Sequence, residues 1–528
     1  MTRKPFAVLA AVAVAAVLTA CGGSADPGPS NPSASGNPSA SGASVTASGT
    51  FTYAISGDPT SLNPINTGDR WGLTFANIVF QPLAKIDATT GELKNDLAES
   101  IEPAADGLSV VVKLKPDLKW SDGEPLTAQD VVFTYTVKAV KENGNADLLW
   151  IQDKPITAVA VDDLTVRFDL PYYSAAAISN VATETFIIPK HVYGDQTDFS
   201  GNELDAYIGS GPYTLKEYKR AEYIALDANP LYSGGKPAIE HVVLRIVSNA
   251  DTVKAALQTG EIDGSHVVPA QTADLASAPV DVLPYPEGRV AYLGVVIPKV
   301  PNEKLRQALF YSLDRSQIAK AAWLVPENYE LAYSILPPSN PYATTDLEKY
   351  ERDVDKAKQL VAESGVPNPT LTLGFMPSDL QQQAEAAVIQ AEAAEAGITI
   401  ELLGTDTYYD EIEKGADSSI DLFIGGYIMG IDPDAYSLLF RSGASANYFS
   451  YSNTAVDQLF DDGVAAKTDA ERKAAYAELQ ATVAADAVFY AIADNLKILA
   501  INQRIGGVTD AGLASIYTFE DWSKLTEK

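Results

Sequence analysis

The sequence predicts an α/β protein with more than one domain. Between residues 370 and 427, segments typical of strands and helices alternate in the order strand, helix, strand, helix, strand. This alternation predicts parallel strands joined by right-handed crossovers. The chain has 528 residues, which is more than a single hydrophobic core accommodates. Its 46% hydrophobic and 20% charged residues are ordinary for a globular protein.

The amino terminus is typical of an exported lipoprotein. Two basic residues precede an apolar run over residues 6–20, which is shorter than the roughly 20 residues that span a bilayer. We therefore interpret residues 1–20 as a signal peptide. The sequence Leu-Thr-Ala-Cys-Gly follows at 18–22 and matches a lipobox, where bacteria attach diacylglycerol to the cysteine. Cys21 is the only cysteine, so we predict lipid attachment there; the alternative is an ordinary signal peptide with a chance cysteine.

Residues 21–49 are predicted to form a flexible linker. They are mainly Ser, Gly, Pro, Ala and Asn, which bury too little apolar surface to offset the entropy lost on ordering. A linker of this composition has a root-mean-square reach of about 30 Å. Together with Cys21, it predicts a globular part held near the outer face of the cytoplasmic membrane.

The segments after the linker predict strands and one capped helix. Residues 50–55 are typical of a strand and lead into the turn-rich loop GDPTSLNP. Apolar and polar side chains alternate over residues 108–115, which predicts a half-buried strand. Thr127 is the predicted N-cap of the next helix, with Asp130 at its third position as in a capping box.

Residues 208–237 are punctuated by glycine and proline, which predicts a small β-meander. We place its elements as listed here: strands 213–218 and 223–227, then a strand at 241–247, and a helix at 251–259 that Gly260 ends.

The second half of the chain carries the most regular patterns. Apolar residues recur with helical spacing over 302–323, and a helix over 353–364 ends at Gly365. The remaining predicted elements are strand 370–376, helix 378–396, strand 398–403, helix 407–414, strand 420–427, helices near 454–461 and 469–486, and strands 488–493 and 496–501. Ligands bind outside the carboxyl ends of parallel strands, so residues 425–430 are predicted to form the lip of a cleft.

No enzyme motif is present. The chain lacks HExxH, CxxC, GxSxG and GxxxxGK, and its three histidines, His191, His241 and His266, are widely separated. We therefore expect no metal, no cofactor and no catalytic activity. The 69 acidic residues guarantee chance pairs, so a cell-surface hydrolase that uses two carboxylates stays as an alternative. A net charge of −31 and a pI of about 4.4 argue against a nucleic-acid partner.

Aromatic residues favour a binding function. Of the 26 tyrosines, Tyr427, Tyr436, Tyr448 and Tyr451 cluster where the cleft is expected, and aromatic walls are typical of ligand pockets. The alternative for each of them is packing in a core.

Three sequence blocks carry a family resemblance: KWSDGEPLTAQDVVFTY at 119–135, the run from GSGPY through GGKP to LQTGEIDG at 209–264, and LRQALFYSLDRSQI at 305–318. Together they resemble the family 5 extracellular solute-binding proteins, which include oligopeptide-, dipeptide- and nickel-type receptors of bacterial ABC importers. The resemblance covers essentially all of residues 50–528.

The resemblance implies a two-lobed α/β fold of the periplasmic-binding-protein type, with an extra domain inserted in the first lobe. Lobe one is expected at 50–92, 208–290 and 496–528, the inserted domain at 93–207, and lobe two at 291–495. The lobes are expected to close on the ligand and to dock, as a monomer, on permease subunits with cytoplasmic ATPases.

The resemblance also suggests site residues. In peptide-binding members, the segment matching Gly426, Tyr427 and Ile428 offers backbone groups to an extended peptide. An Asp that pairs with the peptide amine stands three residues after the aromatic in those members, where this chain has Gly430. Asp432 is the candidate substitute; the alternative is that it only caps the following helix. The full set of predicted ligand-binding residues is Trp71, Gly426, Tyr427, Ile428, Asp432, Tyr436, Asn447 and Tyr448.

The sequence thus predicts a lipid-anchored solute-binding protein of an ABC importer, with an oligopeptide or dipeptide as ligand. If no carboxylate pairs with the amine of a peptide, an oligosaccharide, an opine or another non-peptide solute is favoured as the ligand. The alternatives from other classes are a cell-surface hydrolase and a structural surface lipoprotein.

Overall fold

The computed structural model describes residues 49–87, 92–146, 149–183, 185–405, 407–514 and 516–528. The predicted signal peptide, Cys21 and all of the predicted linker except Gly49 lie outside these residues. Within the described ranges, no helix combines the length and the apolar character needed to cross a membrane.

The strands in chain order are β1 Thr50–Ile55, β2 Ala84–Ile86, β3 Leu93–Asn95, β4 Ala98–Pro103, β5 Ser109–Leu114, β6 Trp150–Ile151, β7 Lys154–Pro155, β8 Thr157–Ala160, β9 Thr165–Asp169, β10 Tyr213–Lys219, β11 Tyr223–Ala228, β12 His241–Ile246, β13 Gly264–His266, β14 Val280–Val295, β15 Tyr329–Leu331, β16 Thr370–Phe375, β17 Thr399–Gly404, β18 Leu422–Ile428, β19 Phe489–Asn502, β20 Ile505–Gly506, β21 Leu513–Ala514, β22 Thr518–Phe519 and β23 Thr526–Glu527.

The α-helices in chain order are α1 Arg70–Val79, α2 Ala128–Lys138, α3 Ala177–Ala182, α4 Lys190–Tyr193, α5 Ala250–Thr259, α6 Glu303–Ser312, α7 Arg315–Trp323, α8 Val354–Ser364, α9 Leu380–Glu395, α10 Tyr408–Ile412, α11 Ser437–Phe440, α12 Thr454–Ala465, α13 Asp469–Ala485 and α14 Val508–Ala511.

One large mixed sheet runs through the molecule in the order β10-β11-β12-β1-β13-β19-β14-β18-β16-β17, with β15 added on β19. At one end β1 is parallel to β12 and β13, and at the other end β16 is parallel to β17 and β18. The predicted parallel unit between residues 370 and 427 is therefore confirmed, with β16 between its two partners.

Two long strands, β14 and β19, join the two ends of this sheet. They pair antiparallel, and the ladder is interrupted between Pro286 and Val290. Before the interruption β14 lies in the half of the sheet with β13, and after it β14 pairs with β18. The prediction of separate strands at 488–493 and 496–501 is wrong, because Asp494 and Asn495, residues typical of turns, stay in the ladder opposite Val290 and Tyr329.

The buried apolar residues form clusters that follow this division. One large cluster and a smaller one pack β1, β12, α1 and α5 with the last thirty or so residues of the chain. Two others fill the space around β14, β16, β18 and the first half of β19. Another packs α2 on the four-stranded sheet β4-β5-β9-β8. The lobe and inserted-domain boundaries stay a prediction, because Phe186 and Phe199 of the predicted inserted domain pack in the first of these clusters.

Several helix ends coincide with the local signals predicted for them. Thr127 and Asp130 form the predicted capping box of α2, and Gly260 and Gly365 end α5 and α8 with positive φ. The single helical pattern over 302–323 is instead two helices. Asp314 interrupts it, because its carboxylate accepts hydrogen bonds from the backbone N–H groups of Ser316 and Gln317 and caps α7.

Candidate ligand-binding cleft

Three neighbouring cavities lie along the segment that follows β18. The hinge-side cavity, of about 560 Å³, is lined among others by Trp71, His266, Glu287, Glu385, Ile428 and Lys497. The apolar cavity, of about 150 Å³, is lined among others by Pro82, Phe186, Ile428, Ile431 and Ile516. The Asp432 cavity, of about 330 Å³, is lined among others by Ser179, Ile431, Asp432 and Arg472. Ile428 borders the first two and Ile431 the last two, so the cavities follow one another along the chain.

β18 presents an unpaired edge beside these cavities. On one side it pairs with β14 along its whole length, from Leu422 to Ile428. On the other side β16 pairs only with Leu422 and Phe423. Among the described strands, none pairs with residues 424–428 on that side. An unpaired strand edge carries backbone N–H and C=O groups that an extended ligand can bind.

The predicted site residue Gly426 makes room for a cation. A Cβ atom at this position would lie 2.1 Å from the guanidinium of Arg289, which therefore passes directly over the glycine. The Nη1 of Arg289 donates a hydrogen bond to the Oδ1 of Asn495 at 3.0 Å. Arg289 also lines the hinge-side cavity, so the glycine and the arginine together shape its wall.

The interrupted part of the β14–β19 ladder holds a buried charge cluster. The carboxylate of Glu287, only 4% exposed, forms ion pairs with Arg70 and, at 3.0 Å, with Lys497. It also accepts a hydrogen bond from the Nδ2 of Asn495 at 3.3 Å. Burial lowers the pKa of Lys497, although Glu287 opposes this effect. The charge of Glu287 is therefore compensated by two cations.

Asp494 is a second buried acid at the same place. Its Oδ1 accepts the backbone N–H of Arg289 at 3.2 Å, whereas its Oδ2 has no hydrogen-bond partner within the described residues. Burial raises the pKa of this carboxyl to about 7, and the nearby charges of Glu287 and Glu330 act in the same direction. Asp494 is therefore close to its titration point at neutral pH.

Trp71, a predicted site residue, lines the hinge-side cavity. Its backbone N–H is bound by the N-cap Asp69, which starts α1, and its ring Nε1 donates to the hydroxyl of Ser56 at 3.1 Å. The ring lies 6.3 Å from that of His266, measured between centroids. Burial holds the pKa of His266 well below its usual value, so this imidazole is neutral.

Tyr427 and Tyr436 are packed into a core. The ring of Tyr427 lies 5.3 Å from Tyr292 and 5.5 Å from Tyr436, and its hydroxyl donates to the carbonyl of Ile335 at 2.8 Å. Tyr436 is fully buried, and its hydroxyl has no hydrogen-bond partner within the described residues. Neither ring is among the residues that line the three cavities, so a ligand role for their side chains stays a prediction.

Asp432 is held by two interactions. Both of its oxygens accept hydrogen bonds from the Nη2 of Arg472, at 2.7 and 2.9 Å. The same carboxylate caps the following 3₁₀ turn by accepting the backbone N–H of Asp434 at 2.9 Å. The capping alternative considered for Asp432 is thus present in the structure, and its proposed contact with a ligand amine is untested.

Asn447 and Tyr448 lie further along the same region. The Nδ2 of Asn447 donates to the carbonyls of Arg441 and Tyr451, and its Oδ1 accepts the backbone N–H of Tyr451, so this amide braces a loop. The ring of Tyr448 lies 4.9 Å from that of Tyr409. Their assignment to the ligand site stays a prediction.

Several charged residues on the cavity wall were not among the site residues predicted from the sequence. Arg289 and Glu287 lie on β14, which was not predicted as a strand because Pro284, Pro286 and Gly288 are typical of loops. Glu385 lies in an Ala/Glu-rich helix where acidic residues are common. Within the described residues, no group of three His, Cys, Asp or Glu side chains is arranged to hold a metal ion.

Comparison with known proteins gives one family. The model of the bacterial extracellular solute-binding proteins, family 5 Middle, matches residues 92–448. The oligopeptide-binding protein AppA of Bacillus subtilis is 26% identical over 540 residues, which is 96% of each chain.

Two solved structures show the same fold. The ABC transporter substrate binding protein CtaP from Listeria monocytogenes is 36% identical with a TM-score of 0.87, covering 90% of this chain and 99% of its own. A putative peptide binding protein AppA from Clostridium difficile is 29% identical with a TM-score of 0.83, covering 90% of this chain and 100% of its own.

Proposed function

Because the chain belongs to family 5 of the bacterial extracellular solute-binding proteins, we propose that it is the substrate-binding protein of an ABC importer that takes up peptides. The observation that carries the peptide class is the unpaired edge of β18, whose last residue, Ile428, borders two of the three successive cavities. An extended peptide adds to such an edge as a further strand, and its side chains enter pockets beside it. The name of the Bacillus subtilis relative, an oligopeptide-binding protein, supports the same class.

The proposed mechanism is capture between two closing lobes. Lobe one comprises 50–92, 208–290 and 496–528, with the domain at 93–207 inserted in it, and lobe two comprises 291–495. The long strands β14 and β19 are the two crossings, and their interrupted ladder between Pro286 and Val290 is the hinge. The closed form then delivers its ligand to the permease subunits, which work with cytoplasmic ATPases.

The proposed binding residues include Gly426, Tyr427 and Ile428, which supply the strand edge, and Trp71, which lines the hinge-side cavity. Asp432 is proposed to bind the peptide amine. Its pairing with Arg472 means that the amine would join an ion pair rather than meet a free carboxylate. Tyr436, Asn447 and Tyr448 belong to the same proposal as supporting residues around the cleft.

The test is calorimetry of one defined peptide with a free and with an acetylated amino terminus. The proteins are the parent, Asp432→Asn, and Asp461→Asn as a control at an exposed ion pair. We expect acetylation to weaken binding to the parent and to the control by about tenfold or more, and to matter little in Asp432→Asn.

Equal binding of both peptides to the parent would contradict the role of Asp432. Failure of every peptide to bind would contradict the peptide class and favour an oligosaccharide or another non-peptide solute. Mass spectrometry of whatever small molecule co-purifies with the protein gives an independent identification. Recovery of the bound peptide as cleaved products would favour the hydrolase alternative.

The proposed location is the outer face of the cytoplasmic membrane. The support is the lipobox around Cys21 and the extracellular assignment of the family. We expect Cys21→Ser to shift the protein from the membrane fraction to the soluble fraction, because serine cannot receive the two or three acyl chains that anchor a lipoprotein stably. Unchanged membrane association of this variant would contradict lipid attachment.

A further inference from the structure

Glu385 is a buried acid on α9 that faces the hinge-side cavity. The residue is only 2% exposed, and it lines the cavity together with Gln381 and Gln382 from the same helix. Its Oε1 has no hydrogen-bond partner within the described residues. Buried polar groups in folded proteins are nearly always paired, so an unpaired carboxyl oxygen at a cavity wall indicates a partner supplied by a ligand.

The cations that line the same cavity already have acceptors. Arg70 and Lys497 both bind Glu287, and Arg289 donates to Asn495. His266 is neutral, as described above, and adds no charge. These residues therefore leave the carboxyl group of Glu385 without a bound counter-ion.

The wall formed by α9 itself is acidic. Asp379 lies at the start of the helix, where its carboxylate accepts the backbone N–H groups of Gln381 and Gln382, and it lines the same cavity. Burial raises the pKa of Glu385 to about 8; Arg289 opposes this shift, and the charge of Asp379 adds to it. A cation that entered the cavity would be attracted by both acids and would ionise Glu385.

We propose that Glu385 selects peptides that place a cationic side chain, an ammonium or a guanidinium, in the hinge-side cavity; this inference rests on the proposed peptide-binding function. Glu385 supplies the charge that recognises the cation, and the cavity, at about 560 Å³, has the volume of an ordinary ligand pocket. The selection is distinct from the proposed binding of the peptide amine by Asp432, which lines a different cavity.

The test uses tetra-alanine peptides in which a single lysine occupies each position in turn. The matched probes carry norleucine, which has the same apolar chain without the ammonium. Binding to the parent, to Glu385→Gln and to Glu392→Gln is measured by calorimetry. Glu392 is the matched control, because it is a buried acid on the same helix but accepts the backbone N–H of Asp314 at 2.7 Å and is not among the residues that line the cavity.

At one lysine position we expect the parent and Glu392→Gln to bind the lysine peptide about tenfold more tightly than its norleucine partner. Glu385→Gln should bind both equally. In the parent, the preference for lysine should grow between about pH 6 and about pH 9, as ionisation of Glu385 becomes easier. This pH series needs no variant, so it keeps the inference testable even if Glu385→Gln folds poorly.

A lysine preference that survives in Glu385→Gln, or the absence of any preference in the parent, would overturn the inference alone. Failure of both peptide sets to bind would overturn the proposed function together with this inference.

Discussion

Two adjacent glycines in β18 face different neighbours. A Cβ atom at Gly425 would lie 2.5 Å from the ring of Tyr292, which is fully buried. A Cβ atom at Gly426 would lie 2.1 Å from the guanidinium of Arg289, the end of a flexible side chain. Gly425 therefore leaves space for a core side chain, and Gly426 leaves space for a side chain of the cleft wall.

We expect Gly425→Ala to affect mainly stability and Gly426→Ala to affect mainly peptide binding. Gly425→Ala should lower the free energy of unfolding by about 1–3 kcal/mol, because it overpacks the ring of Tyr292. Gly426→Ala should change it by less than about 1 kcal/mol, since the guanidinium of Arg289 can move away. Its cost should appear instead as weaker peptide binding. Chemical denaturation and calorimetry on both variants measure the two quantities.

Equal loss of stability in the two variants would contradict this assignment, because it would mean that Arg289 is as immobile as Tyr292. Undiminished peptide binding by Gly426→Ala would show that the position of Arg289 does not matter to the ligand.

At the scale of single residues, the sequence allowed prediction of a site position where the prediction depends only on neighbouring residues in the chain. Residues 425–430 were predicted as a cleft lip because they form the carboxyl end of a parallel strand, and Ile428 and Gly430 among them line cavities. The charge cluster of Arg70, Glu287 and Lys497 could not be predicted, because Arg70 and Glu287 are 217 residues apart and only the tertiary fold brings them together.

At the scale of elements, prediction succeeded where caps and periodicity agree. The helices α2, α5 and α8 have the predicted polar N-cap or glycine end. It failed for β14 and for the continuity of β19, because both contain residues that favour turns. Pairing between the two strands overrides that local preference, as tertiary context commonly does for β-structure.

The buried acid Asp494 makes the stability of this strand pair depend on pH. Its pKa is about 7 in the folded protein, against an ordinary value of 3.8. Between these two pH values the folded state keeps a proton that the unfolded state has lost. Its contribution to stability is therefore full at low pH and is lost as the pH rises towards 7.

We expect Asp494→Asn to be more stable than the parent at about pH 8, by about 2 kcal/mol or more, because the variant buries no charge there. The amide keeps an oxygen that can accept the backbone N–H of Arg289. The difference between the two proteins should shrink towards pH 4. Denaturation curves across this range measure it, with the exposed Asp510→Asn as control.

The parent–variant difference is the relevant quantity, because burial also raises the pKa of Asp434 to about 6 and of Glu385 to about 8. A difference that does not change with pH would contradict the titration of Asp494.

At the scale of the whole molecule, the two-lobed α/β fold class was predicted correctly. The sequence blocks that carry the resemblance are distributed along the chain, and the match to the Listeria monocytogenes structure covers 90% of it. The ligand chemistry of the cleft could not be predicted in the same way. It depends on side chains from α1, β14, α9 and β19, which meet only after the sheet has formed.

The proposed inserted domain contacts the proposed second lobe directly. The hydroxyl of Tyr173 donates to the carbonyl of Ala466 at 2.7 Å, and the backbone N–H of Ala175 donates to the carbonyl of Val464 at 2.9 Å. The ammonium of Lys467 lies 2.9 Å from the centroid of the Tyr173 ring. In the proposed closure of the lobes, these contacts join the inserted domain to the second lobe.

We expect Tyr173→Phe to weaken ligand binding without unfolding the protein. It removes one hydrogen bond that belongs to the proposed closed form, worth about 0.5–1.5 kcal/mol, and keeps the ring beneath Lys467. Because ligand binds the closed form, peptide affinity should fall by about two- to tenfold.

Tyr172→Phe is the matched control, since the hydroxyl of Tyr172 binds Asp153 within the same proposed domain. Calorimetry measures the affinity, and X-ray scattering should show a smaller radius of gyration when the parent is saturated with peptide. Identical affinities of the two variants, or an unchanged radius at saturation, would argue that ligand binding does not depend on closure across these contacts.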